Sequence, residues 1–498
     1  MLGAMHTTRW AAAAVAIGLA VAWLVAADSR PRPNVLIILA DDLGQRDLGT
    51  YGSTFHETPH LDRLAREGVQ FNHAYAAAPV CSPTRASLMT GQWPQRTGIT
   101  DYIGAPHRPD LWTRNTRALP APFADRLARE TPTLARYMKA AGYATFFAGK
   151  WHLGPEGWWP EDHGFDVNMG GIDRGGPYGG NKYFSPYGNP RLPDGPDGEH
   201  LPDRLASETV RFMDANRSRP FFAVLSFYSV HTPLMARPDL ERKYEEKRRT
   251  LGLEPAWGRE HERDVRLVQE HAVYAGMVEA MDQAVGKVLA GLDALGLRDD
   301  TLVIFTSDNG GLSTSEGWPT SNAPLRAGKG WMYEGGLRVP LLVRWPQRSD
   351  GRLHVHAPVV TPDITATVLD AIGARPDART PLDGVSLLPV VTKTGWLDDR
   401  PIYWHYPHYG NQGGAPAAAI RRGDWKLVEW LEDGRVELFN LAEDEGETAN
   451  RASSEPARVT QLRQQLHAWQ QQVGARMSVA NPRYDPAAPS GRAATRTP

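Results

Sequence analysis

Val35-Leu36-Ile37-Ile38-Leu39-Ala40-Asp41-Asp42 is an uninterrupted apolar run that ends on two adjacent carboxylates. Apolar residues at both odd and even positions leave no face for water. The run therefore reads as a strand buried on both sides, the type that occupies the middle of a parallel sheet. Three more runs share this character: Ala144 to Ala148 (ATFFA), Phe221 to Ser226 (FFAVLS) and Thr301 to Thr306 (TLVIFT). Between them lie helical patterns with recognisable ends. Thr58-Pro59 opens one that Gly68 closes, Thr133 to Ala141 stops at Gly142, and a long periodic stretch from about Asp264 to Leu295 is closed by Gly296. Thr caps the first free amides, Pro suits the first turn, and Gly ends a helix without strain. Strands alternating with helices predict an α/β fold built on a large, mostly parallel sheet flanked by helices.

The residues just beyond each strand carry chemistry. Asp41-Asp42 follows the first, Gly149-Lys150-Trp151-His152 the second, Val230-His231 comes soon after the third, and Ser307-Asp308-Asn309-Gly310-Gly311 follows the fourth. Parallel strands deliver their carboxyl ends to one edge, where ligands bind in open sheets, so these groups can converge from distant parts of the chain. Asp41, Asp42, Asp308 and Asn309 offer only oxygen, which suits a hard cation, Ca2+ before Mg2+, better than zinc. Adjacent aspartates can also cap a turn without any metal. Their mutual repulsion, however, is relieved by a cation between them.

At 498 residues the chain is long enough for one large domain and a smaller one. Lys plus Arg number 55 against 57 Asp plus Glu, a formal charge of -2. That balance gives no electrostatic case for nucleic acid or an anionic membrane. Arg9 precedes an apolar run from Trp10 to Ala27, which is followed by Asp28-Ser29-Arg30-Pro31. This layout predicts a signal peptide over residues 1–27 and export to the periplasm or the extracellular space; an uncleaved membrane anchor fits the same run. Exported chains normally carry cysteine in pairs, yet Cys81 stands alone.

Cys81-Ser82-Pro83-Thr84-Arg85-Ala86-Ser87-Leu88-Met89-Thr90-Gly91 sets that cysteine near the head of a predicted helix, since Pro83 fits the first turn and Gly91 the end. The pattern Cys81-x-Pro83-x-Arg85 followed by Leu88-x-Thr90-Gly91 resembles the recognition sequence of the formylglycine-dependent sulfatases, in the Cys-type branch, within the alkaline phosphatase superfamily. The resemblance extends to Asp41-Asp42, Gly149-Lys150-Trp151-His152, His231, Asp308-Asn309-Gly310-Gly311, Lys329 and Gly423-Asp424-Trp425-Lys426, which keep the family's order. It implies an alkaline-phosphatase-like catalytic domain over 32–398 and a sulfuric ester hydrolase. By this resemblance Asp41, Asp42, Asp308 and Asn309 hold Ca2+. Cys81, converted to formylglycine by a formylglycine-generating enzyme, completes the shell with the substrate sulfate. The resemblance also implies that Arg85, Lys150 and Lys329 offset charge around the sulfuryl group while Asp308 takes the proton of the attacking hydroxyl. His231, with Lys329, would protonate the departing oxygen, and His152 would take the proton that lets sulfate leave. The expected substrate is a sulfated carbohydrate. A small aryl sulfate, or a phosphonate or phosphate monoester, would use the same residues, and a glycan-binding protein with a degenerate site is the non-catalytic alternative.

The Gly-, Trp- and Tyr-rich segment from Gly154 to His200 is expected to form part of the substrate wall. Thr320 to Gly328, leading to Lys329, resembles the corresponding loop of glycan-directed sulfatases, and Arg326 within it reads as a solvated charge. From Asp399 the pattern changes to short strands, Ile402 to His405, Ala417 to Arg421, Lys426 to Trp430 and Glu437 to Phe439, and then a helix from about Val459 to Val473. These predict a small C-terminal α+β domain over 399–476, a short antiparallel sheet with a packed helix. His405 and His408 read as structural more than substrate-facing. Residues 477–498, which lack apolar periodicity, are expected to be a flexible tail, disordered or draped on the surface.

Overall fold

Successive side chains of the strand Asn34–Ala40 point to opposite faces, and both faces are buried. Leu36, Ile38 and Ala40 enter one apolar core; Val35, Ile37 and Leu39 enter another. Helices Pro59–Glu67, Leu201–Ala215 and Ala272–Ala294 close the first core, and Cys81–Thr90, Leu134–Ala140 and Thr361–Ala371 close the second. Each Leu or Ile so buried contributes roughly 1.5–3 kcal/mol, which is why this run must lie at the centre. The structure is a computed structural model that describes residues 32–349, 351–377 and 379–490. The signal peptide expected over 1–27 lies outside these residues. Among the described residues, no helix is long and apolar enough to cross a membrane.

The large sheet runs in the order Leu353–Val355, Val69–Tyr75, Arg338–Arg344, Thr301–Ser307, Asn34–Ala40, Phe221–Ser226, Ala144–Gly149 and Val167–Met169, with Val359–Val360 also pairing to Val69–Tyr75. Arg338–Arg344 is antiparallel to both of its neighbours; the other pairings are parallel. The four strands read from the sequence lie next to one another, so their carboxyl ends share one edge.

Three expectations need correction. The long helix begins at Ala272, capped by the His271 side chain, rather than near Asp264. Arg263–Arg266 instead forms a hairpin with Trp257–Glu260, and the Arg266 and Leu267 amides donate to Ser313 and Ala256, so no helical ladder can start there. Arg326 is not solvated: its guanidinium makes two 2.8 Å hydrogen bonds to Glu260 and lies 3.8 Å from the centre of the Tyr333 ring. The tail is tied down as far as it is described. Val479–Ala480 pairs with Ala118–Leu119, the Asn481 amide groups donate to Thr116 and Arg117, and Arg483 donates to the Trp112 carbonyl at 2.7 Å.

The second sheet is an antiparallel meander of Ile402–Tyr406, Ala417–Arg422, Trp425–Trp430 and Val436–Asn440, covered by helix Pro456–Gln472. Its core of Trp404, Leu427, Trp430, Leu466 and Trp469 is continuous with Tyr75, Trp331 and Tyr333 from the first part of the chain. Lys426 is wholly buried there between Glu334 at 3.0 Å and Glu447 at 2.9 Å. From Asn34 onward the chain is one compact unit.

Candidate active site

Backbone hydrogen bonds lace the strand ends together before any side chain acts. The Asp41 amide donates to Ser229 and the Val230 amide to Asp41, while the Lys150 amide donates to Ser226. Gly149 is required at this seam: its φ is +99°, and a Cβ there would lie 1.8 Å from the Ser226 carbonyl oxygen. Asp42 and His152 also take left-handed backbone, φ 61° and 57°, which turns their side chains over the sheet edge. Non-glycine residues persist in that region only where the surroundings hold them, as at functional sites.

The first residue of helix Cys81–Thr90 is Cys81, and its Sγ lies 3.6 Å from Asp41 Oδ1 and 4.0 Å from Asp42 Oδ1. Three carboxylates and three cations surround it. Lys150 Nζ donates to Asp41 at 2.7 Å and Lys329 Nζ to Asp42 at 2.8 Å. Arg85 donates through Nε to Asp308 at 2.8 Å and through Nη1 to the Lys150 carbonyl and the Ser226 hydroxyl. All of these side chains are almost completely buried.

Burial pushes Asp41 up to about 8 against the pull of Lys150, with Asp308 and Asp42 adding repulsion. Burial alone would also raise Asp42, but Lys329, His231 and Lys150 outweigh it and hold this carboxyl below the ordinary range. The two lysines stay charged because their carboxylates overcome desolvation. Burial drives the Cys81 thiol upward, so the unmodified side chain is a neutral thiol. Its neighbours at hydrogen-bond range are carboxylates; a His231 ring nitrogen lies within 4.8 Å of the sulfur, and among the described residues no histidine hydrogen-bonds to it as a cysteine hydrolase would need.

The two histidines present opposite ring atoms. His152 Nε2 donates to the Ile103 carbonyl at 2.8 Å, which leaves Nδ1 as a buried lone pair without a partner. His231 Nδ1 donates to the Thr232 carbonyl at 2.7 Å, and Nε2 faces Asp42 Oδ2 at 3.7 Å. Burial and Lys329 hold His231 down to about 3, and burial and Lys150 depress His152 well below its ordinary value. Ser82 Oγ links the two sides of this wall, donating to the His152 carbonyl and accepting from the Ile103 amide.

Whether this site fits a cation can be judged from its own atoms. One ligand atom each from Asp41, Asp42, Cys81 and Asp308 lies within 4.8 Å of the others. Asn309 donates through Nδ2 to Asp42 Oδ1 at 2.9 Å, while its buried Oδ1 has no hydrogen-bond partner. A buried orphan acceptor beside crowded carboxylates is what an oxygen-ligated divalent cation satisfies, and no soft ligand competes except the single sulfur.

Every site residue read from the sequence therefore gathers at one place: Asp41, Asp42, Cys81, Arg85, Lys150, His152, His231, Asp308, Asn309 and Lys329. Above them opens a cavity of about 280 Å³ lined by Cys81, His152, His231 and Lys329 and by Tyr102, Ile103, Gly175, Tyr178, Glu316, Asn411 and Gln412. Gly175 and Tyr178 come from the loop expected to form the substrate wall. The sequence reading missed Ser82, Tyr102, Ile103, Glu316, Asn411 and Gln412. Glu316 had one usable signal, its place in the loop that follows Asp308; the others had none. His405 and His408 do not reach the cavity: His405 Nε2 donates to the Arg476 carbonyl, and His408 Nε2 bonds to the Thr100 hydroxyl.

The comparisons with known proteins agree with this geometry. A sequence profile described as Sulfatase matches residues 33–374, and one described as N-sulphoglucosamine sulphohydrolase, C-terminal, matches 327–473. The chain is 32% identical to a sulfatase of Formosa agariphila, covering 91% of this chain and 92% of that protein. It is 31% identical to the N-acetylgalactosamine-6-sulfatase of Canis lupus familiaris, over 86% of this chain and 77% of that one. Among solved structures, that of Ps i-CgsB in complex with k-i-k-neocarrahexaose superposes with a TM-score of 0.71 at 30% identity, covering 88% of this chain and 92% of that chain.

Proposed function

The chain belongs to the sulfatase family and is a sulfuric ester hydrolase, and on that premise we propose that it removes sulfate from a sulfated carbohydrate at Cys81, matured to formylglycine, beside a bound Ca2+. The observation that carries this reading is the burial of Cys81 against Asp41, Asp42 and Asp308 at the floor of an open cavity, where its hydrogen-bond neighbours are carboxylates. A carbohydrate is favoured by two names: the relative called an N-acetylgalactosamine-6-sulfatase and the superposed structure with a bound neocarrahexaose.

Asp41, Asp42, Asp308 and Asn309 would hold the cation, together with the matured residue 81. Bound there, it supplies Lewis acidity toward a sulfuryl oxygen and lowers the pKa of a neighbouring hydroxyl. The formylglycine side chain supplies, as its hydrate, a nucleophilic hydroxyl with a second hydroxyl on the same carbon. The protein's own groups do the rest. Arg85 and Lys150 place positive charge beside residue 81, and Lys329 extends it toward the cavity, so charge on the sulfuryl oxygens meets fixed cations in a dry site. Asp308, held by the Arg85 guanidinium, stands where it can take a proton. His231 holds its Nε2 toward the site, positioned by the Nδ1 bond to Thr232. Burial and then Lys329 keep this ring neutral; the negative charge of an arriving sulfate offsets the second of these and favours the protonated ring, which prepares it to hand a proton to the departing alcohol oxygen. His152 Nδ1, its tautomer fixed by Ile103, is the free base that collects a proton when sulfate is released.

By this reading residues 32–398 form the catalytic domain and 399–476 a small domain that supplies Asn411 and Gln412 to the rim. Residues 1–27 export the chain, and maturation needs a formylglycine-generating enzyme in the producing cell. The test is protein co-produced with that enzyme, with the mass of the Cys81 peptide measured and sulfate release followed on sulfated saccharides, an aryl sulfate, a phosphate monoester and a phosphonate monoester. Sulfate release should scale with the fraction converted and vanish in Cys81→Ala. Equal release from Cys81→Ala, or faster turnover of the phosphorus esters, refutes the proposal.

A further inference from the structure

The floor of the cavity holds Lys329, with Lys150 and Arg85 beneath it, and receives the sulfate ester. A carboxylate stands at its rim. Glu316 is half-buried at the rim, and its Oε1 accepts from Asn411 Nδ2 at 2.7 Å and from Gln412 Nε2 at 2.9 Å. Because a carboxylate can only accept, the Gln412 amide must turn its NH2 toward Glu316, and this fixes the opposite atom, Oε1, as the one left over. That Oε1 is a buried acceptor with no hydrogen-bond partner, on a side chain only 2% exposed. It is held close to Gly330, where a Cβ would lie 2.6 Å from it. Glu316 Oε2 likewise makes no hydrogen bond among the described residues. Two residues on two distant loops are thus locked to each other: Gln412 Oε1 is shut in against Gly330, and Glu316 Oε2 is the acceptor left for the cavity.

We propose that Glu316, held by Asn411 and Gln412, forms a specificity rim that accepts a sugar ring bearing a free hydroxyl group next to the sulfated position and rejects a ring carrying a second sulfate or a carboxylate there. This rests on the sulfatase reading above and adds to it a rule for the substrate. A hydroxyl group donates to Glu316 Oε2. A second sulfate ester has no proton to donate and sets its charge against that of Glu316, so it loses the hydrogen bond and meets repulsion together. Glu316 is also near enough to Lys329 to strengthen its hold on a proton, which places the rim within reach of the reacting end of the substrate.

The experiment uses matured full-length protein, with the formylglycine content verified by peptide mass. A panel of monosulfated galactose, N-acetylgalactosamine and N-acetylglucosamine finds the best ring. That ring is then compared with its disulfated form and with its deoxy analogue lacking the adjacent hydroxyl. The wild-type enzyme should prefer the monosulfated ring over both by about tenfold or more in kcat/KM. Glu316→Gln, which keeps size and one acceptor but removes the charge, should narrow the preference against the disulfated ring by about tenfold while the penalty for the deoxy ring persists. Should Glu316→Gln fold poorly, the deoxy comparison on wild-type enzyme still decides. Equal turnover of all three rings, or an unchanged ratio in Glu316→Gln, overturns the rim's role. Absence of sulfate release from every saccharide and from an aryl sulfate overturns the sulfatase reading itself, and the rim's role with it.

Discussion

At the scale of single residues the site is a set of atoms whose second bonds fix their first. His231 and His152 each give one ring nitrogen to a backbone carbonyl, on Thr232 and Ile103, so the other nitrogen is assigned without choice. If His231 protonates the leaving oxygen, His231→Ala should lower kcat/KM by about 100-fold or more for sugar sulfates, whose alkoxides leave badly. The loss for a nitroaryl sulfate, which departs unaided, should be several-fold at most; equal losses on the two esters would exclude the role. Asn309 offers an independent test that needs no turnover. Calcium added to metal-stripped protein should raise the Tm, since a ligand present at a hundredfold its Kd adds about 2.7 kcal/mol to stability. Asn309→Leu, which removes the unpartnered Oδ1, should lose most of that shift in a thermal melt.

At the scale of elements, the strand Asn34–Ala40 is legible in the sequence because a run with no polar position has one placement, and its end then locates Asp41 and Asp42. Arg338–Arg344 is not legible: charged residues close both ends and Pro340 interrupts the ladder, at the register shift between Val339 and Leu341. Its antiparallel placement follows from neighbours far away in sequence. Helix packing adds a pH effect that sequence does not hint at. Asp282, on helix Ala272–Ala294, accepts from the His60 and Leu61 amides at the start of helix Pro59–Glu67, at 3.1 and 2.8 Å. Burial outweighs those amides and pushes it up to about 7 from 3.8. The folded state thus binds this proton more tightly than the unfolded chain. Asp282 contributes most below about pH 4, and that contribution fades as the pH rises through 7. Relative to wild type, Asp282→Asn should therefore gain stability steadily between pH 4 and pH 8 in denaturant titrations; a constant difference across that range would contradict the assignment.

For the molecule as a whole, the joint between the two sheets matters most. Lys426 compensates two buried carboxylates at once, Glu334, held down to about 2, and Glu447, pushed up to about 7 by burial and by Glu334 beside it. Lys426→Met strands that charge, and breaking a buried pair in this way costs about 3–5 kcal/mol. Calorimetry should show a correspondingly lower Tm, and Lys426→Met combined with Glu334→Gln should recover part of the loss. The rim of the cavity is legible only at this scale. Glu316 and Asn411 are far apart in the chain, and nothing in either local sequence says that they meet. The ten residues at the floor could be found because each ends a buried strand or belongs to a motif; the rim belongs to the packing of one sheet against the other.

The pairing of Val479–Ala480 with Ala118–Leu119 bears on how the protein is handled. Asn481 and Arg483 grip Thr116, Arg117 and Trp112; Trp112 stacks on Tyr409 and meets the edge of His107; and His107 is bonded to Asp101, next to Tyr102 and Ile103. The segment Val479–Arg483 is thus mechanically linked to the carbonyl that sets the tautomer of His152. An affinity tag belongs beyond residue 490, on a spacer, and a trimmed expression clone that stops at 476 would cut the strap that steadies one wall of the active site.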